Sequence, residues 1–399
     1  MMRKKNFVRH QQMKTDILAE VLTAIGRGAS CKREVQAAAG LSWGKVSETV
    51  NLLLNRGIVV DCNIADRSPV GQGRKSSYFE FSGTDFLVMG MELQRHRIIT
   101  AVTNPGGKVI GQNVLPFKRA LHPENLRDRV FSAWNEQLNR SGITAEKIIA
   151  LSFSLTGAVD GANKIWRQSS HVPDIRDYDF QPIAAMFPHL LYFSIEHDIP
   201  ARARSVLRVE KWNDDNFVFM HIGGGVGMAV HNQAGFFTGS RGLAGEIGHI
   251  PVMPLPTGSS ARLCSCGQTD CLETFLSDRA LLAYASEHLG VAAADLPTLF
   301  AMATGAQMDA FYAYFYPYLR QAGITAVNLF DPTTLILGGE LIEPWLSRLE
   351  TELLPQLRAA SWLHSPEQLK CYRMASCDSA FGTALNAAEP VILQLANKL

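Results

Sequence analysis

Cys264, Cys266 and Cys271 stand within eight residues of one another, and His249 lies fifteen residues upstream. Three soft sulfur donors in a Cys-x-Cys-x4-Cys run, joined by an imidazole, complete a tetrahedral shell. Zinc is the natural occupant of such a closed site. The spacing therefore predicts one structural zinc ion per chain, fixing the segment around His249 against the segment 264–271. Glu246 precedes the histidine by three residues and Glu273 follows the last cysteine by two. Carboxylates on both sides of a metal loop suggest that the loop presents polar groups to a ligand. A knuckle that only staples a loop, with its acids in solvent, is the plainer alternative.

The chain has 399 residues, of which 47% are hydrophobic and 19% charged. It can bury substantial cores, and two or three domains are expected. A net charge of +1 excludes a global field drawing it to nucleic acid, but the charge is uneven. Residues 1–80 hold 13 Lys/Arg against 7 Asp/Glu; of totals of 38 and 37, that leaves 25 against 30 for the rest. A basic first fifth on a mildly acidic body points to a polyanion-binding module, the alternative being a solvated tail. Cys31, Cys62, Cys371 and Cys377 form no framework pattern, which fits a reducing compartment. No apolar core follows Met1-Met2-Arg3-Lys4-Lys5, and no run approaches the ~18 apolar residues of a bilayer span. A cytoplasmic protein without membrane insertion is expected.

Ile17, Leu18, Val21, Leu22 and Ile25 recur at helical spacing, and Gly26 and Gly28 end that stripe. Ser30 is a candidate N-cap for a second helix with Val35, Ala38 and Ala39 inward, closed by Gly40. A third helix over Trp43 to Asn55 buries Val46, Val50, Leu53 and Leu54, and a strand follows Gly57. Two helices joined by a tight glycine turn make a helix-turn-helix, whose third helix would enter a major groove. Ser42, Trp43, Lys45 and Ser47 are the candidate DNA contacts, with Glu48 beside them. Gly71, Gly73, Arg74 and Lys75 give a glycine-rich, basic wing able to reach phosphates. A small protein-interaction module is the bland reading of the same helices.

The body repeats a pattern. Residues 86–99 read as strand, turn, strand, and the Asn104 to Gly107 turn leads to a third strand around Val109. Phe217 to Ile222, the glycines of 223–227, Met228 to Val230 and the turn Asn232 to Gly235 repeat that order. Helical segments and buried strands follow each copy, which predicts two related α/β lobes with a ligand in the cleft between them. Gly223 to Gly227 can bring backbone N–H groups to an anion, although many such runs are tight turns. Gly338-Gly339-Glu340, after the buried strand Thr334 to Leu337, is expected to open a helix. Asp198 follows the strand 190–195, where a carboxylate can accept a sugar hydroxyl proton or simply cap a helix.

Glu246-x-x-His249 with Cys264-x-Cys266-Gly267-x3-Cys271-Leu272-Glu273-x3-Ser277 resembles the signature of the ROK family of bacterial sugar kinases and sugar-responsive repressors. The resemblance covers the chain from about residue 85 onward. It implies a hexokinase-like, actin-like pair of lobes, usually assembled as a homodimer or homotetramer. The expected architecture is α/β: a winged helix-turn-helix at 1–82, a first lobe at 83–199 completed by a helix near 380–399, and a second lobe at 200–379 carrying zinc and the oligomer surface. The resemblance places the zinc ligands on His249, Cys264, Cys266 and Cys271. It places sugar-binding groups on Gly157, His171, His197, Asp198, Glu246, His249 and Glu273. His197 stands where the family usually has Asn.

Kinases of the family carry an Asp-x-Gly-Gly-Thr phosphate loop; here the stretch is Glu92-Leu93-Gln94-Arg95-His96, and Gly224 replaces a usual Thr. Side chains fill the space of the phosphates, and phosphoryl transfer depends on positioning. Asp198 is then a vestigial base. The expected function is a DNA-binding regulator, a repressor of sugar-uptake or catabolism genes, whose grip on double-stranded operator DNA is set by a sugar or sugar phosphate. The competing readings are an active sugar kinase and a regulator controlled by a protein partner.

Overall fold

The computed structural model describes residues 15–62, 77–212, 215–253, 260–362, 365–372, 375 and 378–398. Contacts divide the chain into two units, Met1–Ser205 with Ser379–Leu399, and Val206–Asp378.

The first unit opens with helix α1 (15–26), α2 (Lys32–Ala39) and α3 (Trp43–Asn55), then the antiparallel strands β1 (Val59–Cys62) and β2 (Tyr78–Phe81). Leu18, Val21, Leu22 and Ile25 form the buried stripe of α1 and meet Val35, Val46, Val50 and Leu53. Gly40, at φ 65°, stops α2 and donates its N–H to Gln36 O. Two local details differ from the expectation. The N-cap of α2 is Cys31, because Ser30 spends both its N–H and its Oγ on Glu34, at 2.8 and 2.9 Å. Ala38 is exposed, the core of this helix being Val35.

The lobe that follows is a five-stranded sheet. It comprises β3 (Leu87–Gln94), β4 (Arg97–Thr103), β5 (Val109–Pro116), β6 (Ile148–Leu155) and, after the small sheet β7 (Ala158–Asp160), β8 (Ile165–Gln168), β9 (Arg176–Asp179), strand β10 (Tyr192–His197). Their order is β10-β6-β3-β4-β5, with β3 parallel to β6 and antiparallel to β4. β3 is buried from Leu87 to Leu93, so both faces must be covered. Leu87, Met89, Met91 and Leu93 meet α4 (Pro123–Ser141) through Leu126, Val130 and Trp134. Val88, on the other face, meets Ala384, Ala387 and Val391 of the last helix, α12 (Asp378–Lys398). This is the period-two alternation of a strand read on both sides.

α12 is seated very closely. A Cβ on Gly90 of β3 would overlap Ala380 O, and one on Gly382 would overlap Ala201 O. Ala201 lies on α6 (Asp198–Glu210), after the four-residue helix α5 (Gln181–Ala184) and β10. Farther along α12, Ile392, Leu395 and Ala396 enter the core built by α1, α3, β1 and β2. The N-terminal helices and the first lobe thereby fall in one compact unit.

The second unit repeats the topology. β11 (Phe217–Ile222), β12 (Val226–Asn232) and β13 (Gly235–Phe236) form an antiparallel meander; β14 (Thr334–Gly338) and β15 (Gln368–Tyr372) extend it in parallel. The order β15-β14-β11-β12-β13 is the order β10-β6-β3-β4-β5 of the first lobe. The expected internal echo is therefore a shared sheet topology. Helices α7 (Glu273–Leu276), α8 (Asp278–His288), α9 (Leu296–Met302), α10 (Gly305–Phe330) and α11 (Leu346–Ala360) supply the rest. Thr304 and Gln307 cap α10 reciprocally. Gly339, at φ 128°, passes close to Ile222 O. Gly338-Gly339-Glu340 does not open an α-helix directly; a turn and the 3-10 segment Glu343–Trp345 precede α11.

Candidate metal centre and carboxylate sites

In the second unit, one ligand atom from each of His249, Cys264, Cys266 and Cys271 lies within 4.8 Å of all the others. His249 Nδ1 is 3.6 Å from Cys264 Sγ, and Cys266 Sγ is 3.6 Å from Cys271 Sγ. Those separations match the edge of a tetrahedron with metal–sulfur bonds of ~2.3 Å, roughly 3.7 Å. The fold brings the set together by backbone pairing. Val252 N–H donates to Asp270 O, Leu272 N–H to Ile250 O, and Cys264 N–H to Gln268 O. Gly267, at φ 91°, turns the knuckle. Burial, then the hydrogen bonds with Cys266 and Cys264, pushes the Cys271 thiol up to about 12.

The flanking acids are attached to this centre. His249 Nε2 lies 3.7 Å from Glu246 Oε2, on the ring edge opposite Cys264. Gly245 and Gly248 let this segment lie against β12, where side chains would strike Met228 O and Val226 O. Glu273 accepts from Val226 N–H at 3.4 Å and from Ser265 Oγ at 3.5 Å. It thus links α7 to the start of β12 and to the cysteine knuckle. Arg262, which sequence reasoning missed, anchors the knuckle from behind. Its Nη1 donates to Thr274 O and Tyr314 Oη, and its guanidinium lies 4.3 Å from the Phe275 ring centroid. Gly223 accepts at its carbonyl from Asp278 N–H, and the glycine run is the turn between β11 and β12.

In the first unit, Asp198 is the first residue of α6, at the carboxyl end of β10, and is 6% exposed. Its Oδ2 accepts from Arg202 Nε at 3.3 Å, and its Oδ1 is 3.6 Å from His197 Nε2. Arg202 Nη2 also donates to Glu92 Oε1 at 2.5 Å. Burial raises the Glu92 carboxyl, with Arg202 acting in the opposite sense. Gln94 donates to the same Glu92 oxygen at 2.8 Å and accepts from Arg97 Nε at 2.6 Å. Glu92 and Gln94 are strand residues, and Arg95-His96 is a two-residue hairpin turn between paired Gln94 and Arg97. Arg202 was not anticipated; its only sequence signal is its place one helical turn after Asp198. Gly157, at φ 80°, packs against Gln168 O and Ser169 Cα, where no side chain fits. His171 is exposed beside Ser169, whose Oγ accepts its N–H at 3.2 Å.

On the head, Ser42, Lys45 and Trp43 are exposed at the start of α3, Trp43 by 53%. Ser47 is partly buried and accepts from Lys32 Nζ at 3.1 Å, while Lys32 also reaches Asn51 at 2.8 Å. Arg74 and Lys75 lie outside the described residues.

The ROK family matches residues 88–376, and the chain belongs to it. It is 24% identical over 365 residues to the DNA-binding transcriptional dual regulator NagC of Escherichia coli (strain K12), covering 87% of this chain and 83% of that protein. Two other curated relatives are matched over 61% of their own length. Among solved structures, a ROK family transcriptional regulator, a homologue of the E. coli MLC protein, superposes with a TM-score of 0.68 at 17% identity, over 97% of this chain and 98% of that one. A ROK hexokinase from Thermus thermophilus superposes with a TM-score of 0.60 at 22% identity, over 77% of this chain and 99% of that one. The regulator thus shares the fold of nearly the whole chain, whereas the hexokinase leaves nearly a quarter of it unmatched. No described helix is long and apolar enough to cross a membrane.

Proposed function

We propose that this protein is a DNA-binding transcriptional regulator, a repressor of sugar-uptake or catabolism genes, whose operator affinity is set by a sugar or sugar phosphate. The observation that carries the reading is the three-helix module with Trp43 and Lys45 exposed at the start of α3, joined to a ROK body. Groove entry needs the first residues of the recognition helix free to reach base edges and phosphates. Ser42, Trp43, Lys45 and Ser47, with Arg74 and Lys75 of the wing, are the proposed DNA contacts. Relatives named a DNA-binding transcriptional dual regulator and a xylose repressor support the same reading.

Asp198, Glu246 and Glu273 are the proposed acceptors for sugar hydroxyls, with Gly157, His171, His197 and His249 alongside. His249, Cys264, Cys266 and Cys271 would hold one structural zinc ion per chain, which fixes the segments bearing Glu246 and Glu273. The protein is proposed to act as a cytoplasmic homodimer or homotetramer without kinase activity. Glu92 and Gln94 are strand residues where the kinases of the family have a glycine loop, and the guanidinium of Arg202 already engages Asp198.

Selecting bound duplexes from a random DNA pool, then titrating them with and without xylose, glucose, N-acetylglucosamine and their phosphates, tests the reading. Selected DNA that is released by one sugar supports it. A chain that enriches no duplex over competitor overturns it, and sugar-dependent ATP turnover lost in Asp198→Asn establishes a kinase.

A further inference from the structure

Arg202 joins two buried carboxylates from distant parts of the first unit. Glu92 is 1% exposed and Asp198 6%, and the Arg202 side chain itself is 12% exposed. Its Nη2 reaches Glu92 at 2.5 Å and its Nε reaches Asp198 at 3.3 Å. Two carboxylates this deep repel each other, and neither tolerates burial without a counter-charge. The wider setting is also polar: Gln94 and Arg97 stand behind Glu92, and His197 beside Asp198. Glu92 and Asp198 both lie at carboxyl ends of strands, β3 and β10, the edge at which α/β sheets hold ligands.

A carboxylate that already receives a guanidinium N–H is a weaker base, yet it keeps lone pairs for another donor. We propose that Arg202 is a positioning residue that fixes Asp198 as a hydrogen-bond acceptor for a sugar hydroxyl and withdraws it from general-base chemistry. The proposal rests on the reading of Asp198 as an effector ligand. It also assigns the chemistry of the group that meets Asp198. Asp198 is itself a buried acid with the Glu92 carboxyl nearby, so the group it accepts from is a neutral hydroxyl and not a phosphate.

The test uses the full chain with Arg202→Met, Arg202→Lys and the double variant Glu92→Gln/Arg202→Met. Denaturation is measured between about pH 5 and 8. Without the guanidinium the two carboxylates hold a proton more tightly in the folded than in the unfolded state. Stability of Arg202→Met should therefore fall as pH rises, more steeply than in the wild type. Glu92→Gln should flatten that dependence, and Arg202→Lys, which keeps a cation, should restore part of the shallower wild-type profile even if the methionine variant folds poorly. Calorimetric titration with xylose, glucose and N-acetylglucosamine is the second readout. Binding to Arg202→Met should weaken about tenfold and strengthen with rising pH, an effect that lost packing alone would not produce. Wild-type sugar affinity in Arg202→Met, or a wild-type pH profile of its stability, overturns the proposal. A wild type that binds none of these sugars, while Arg202→Met shows the pH effect, overturns the effector reading of Asp198 instead.

Discussion

Glu246 and His249 face each other across 3.7 Å, carboxylate to Nε2, while the opposite ring nitrogen points at Cys264. A carboxylate behind a ligating histidine fixes the ring tautomer and raises its basicity. The acid proposed to bind sugar thus stands beside a proposed metal ligand.

Glu246→Gln is accordingly expected to weaken metal retention by roughly 10–100-fold in competition with a chelator. Elemental assay of the wild type should find one zinc per chain, and Cys266→Ala should lose it. Because the thiols must be deprotonated, zinc affinity should fall as pH is lowered. A folded chain that neither contains nor takes up zinc would sink this assignment.

Lys45→Ala should reduce operator affinity and lower the slope of log affinity against log salt by about one, if Lys45 meets a phosphate. Trp43→Ala should weaken operator binding while leaving the melting temperature nearly unchanged, since the ring is 53% exposed. Fluorescence anisotropy at several salt concentrations separates the two effects.

Gly382→Ala places a methyl group against Ala201 O, backbone that has no rotamer to yield. A loss of about 1–3 kcal/mol in denaturant unfolding is expected. Gly28→Ala is the contrasting case. Nothing stands within 4 Å of the added carbon, so only its φ of 109° opposes it.

Asp278 gives a stability signature in pH. Burial, and then the Glu340 carboxylate, raises its pKa to about 6, and its Oδ1 is buried without a hydrogen-bond partner among the described residues. The folded value lies above the unfolded one, so the folded state binds the proton more tightly. This residue's contribution is favourable below about pH 4 and is lost as pH rises toward about 6. Asp278→Asn should remove that slope and gain roughly 1–2 kcal/mol over wild type at neutral pH. Equal pH profiles for the two proteins would contradict the assignment.

Local chemistry made part of this molecule readable. The cysteine spacing, the α1 stripe from Leu18 to Ile25 and the doubled strand–turn–strand pattern are all short-range signals, and each is matched by a corresponding arrangement in the fold. What sequence did not disclose depends on distant partners. Arg202 meets Glu92 across 110 positions, a pairing made only when β3 and α6 are in place. Ser30 looked like a cap, but Glu34 competes for it, and a pattern of residue types does not rank those two hydrogen bonds. Arg262 shows no periodic signal, because its role is to fill the space between a knuckle and α10.

The seating of α12 bears on how the chain is made. Leu18, Val21 and Leu22 of the opening helix share a core with Ile392, Leu395 and Ala396 of the final one. A ribosome that has emitted the three N-terminal helices has not yet emitted a wall they pack against. Until α12 has been synthesised, the nascent head lacks three of its core side chains and leaves apolar surface open to water. A polypeptide that lacks α12 therefore carries a head without Ile392, Leu395 and Ala396 in its core.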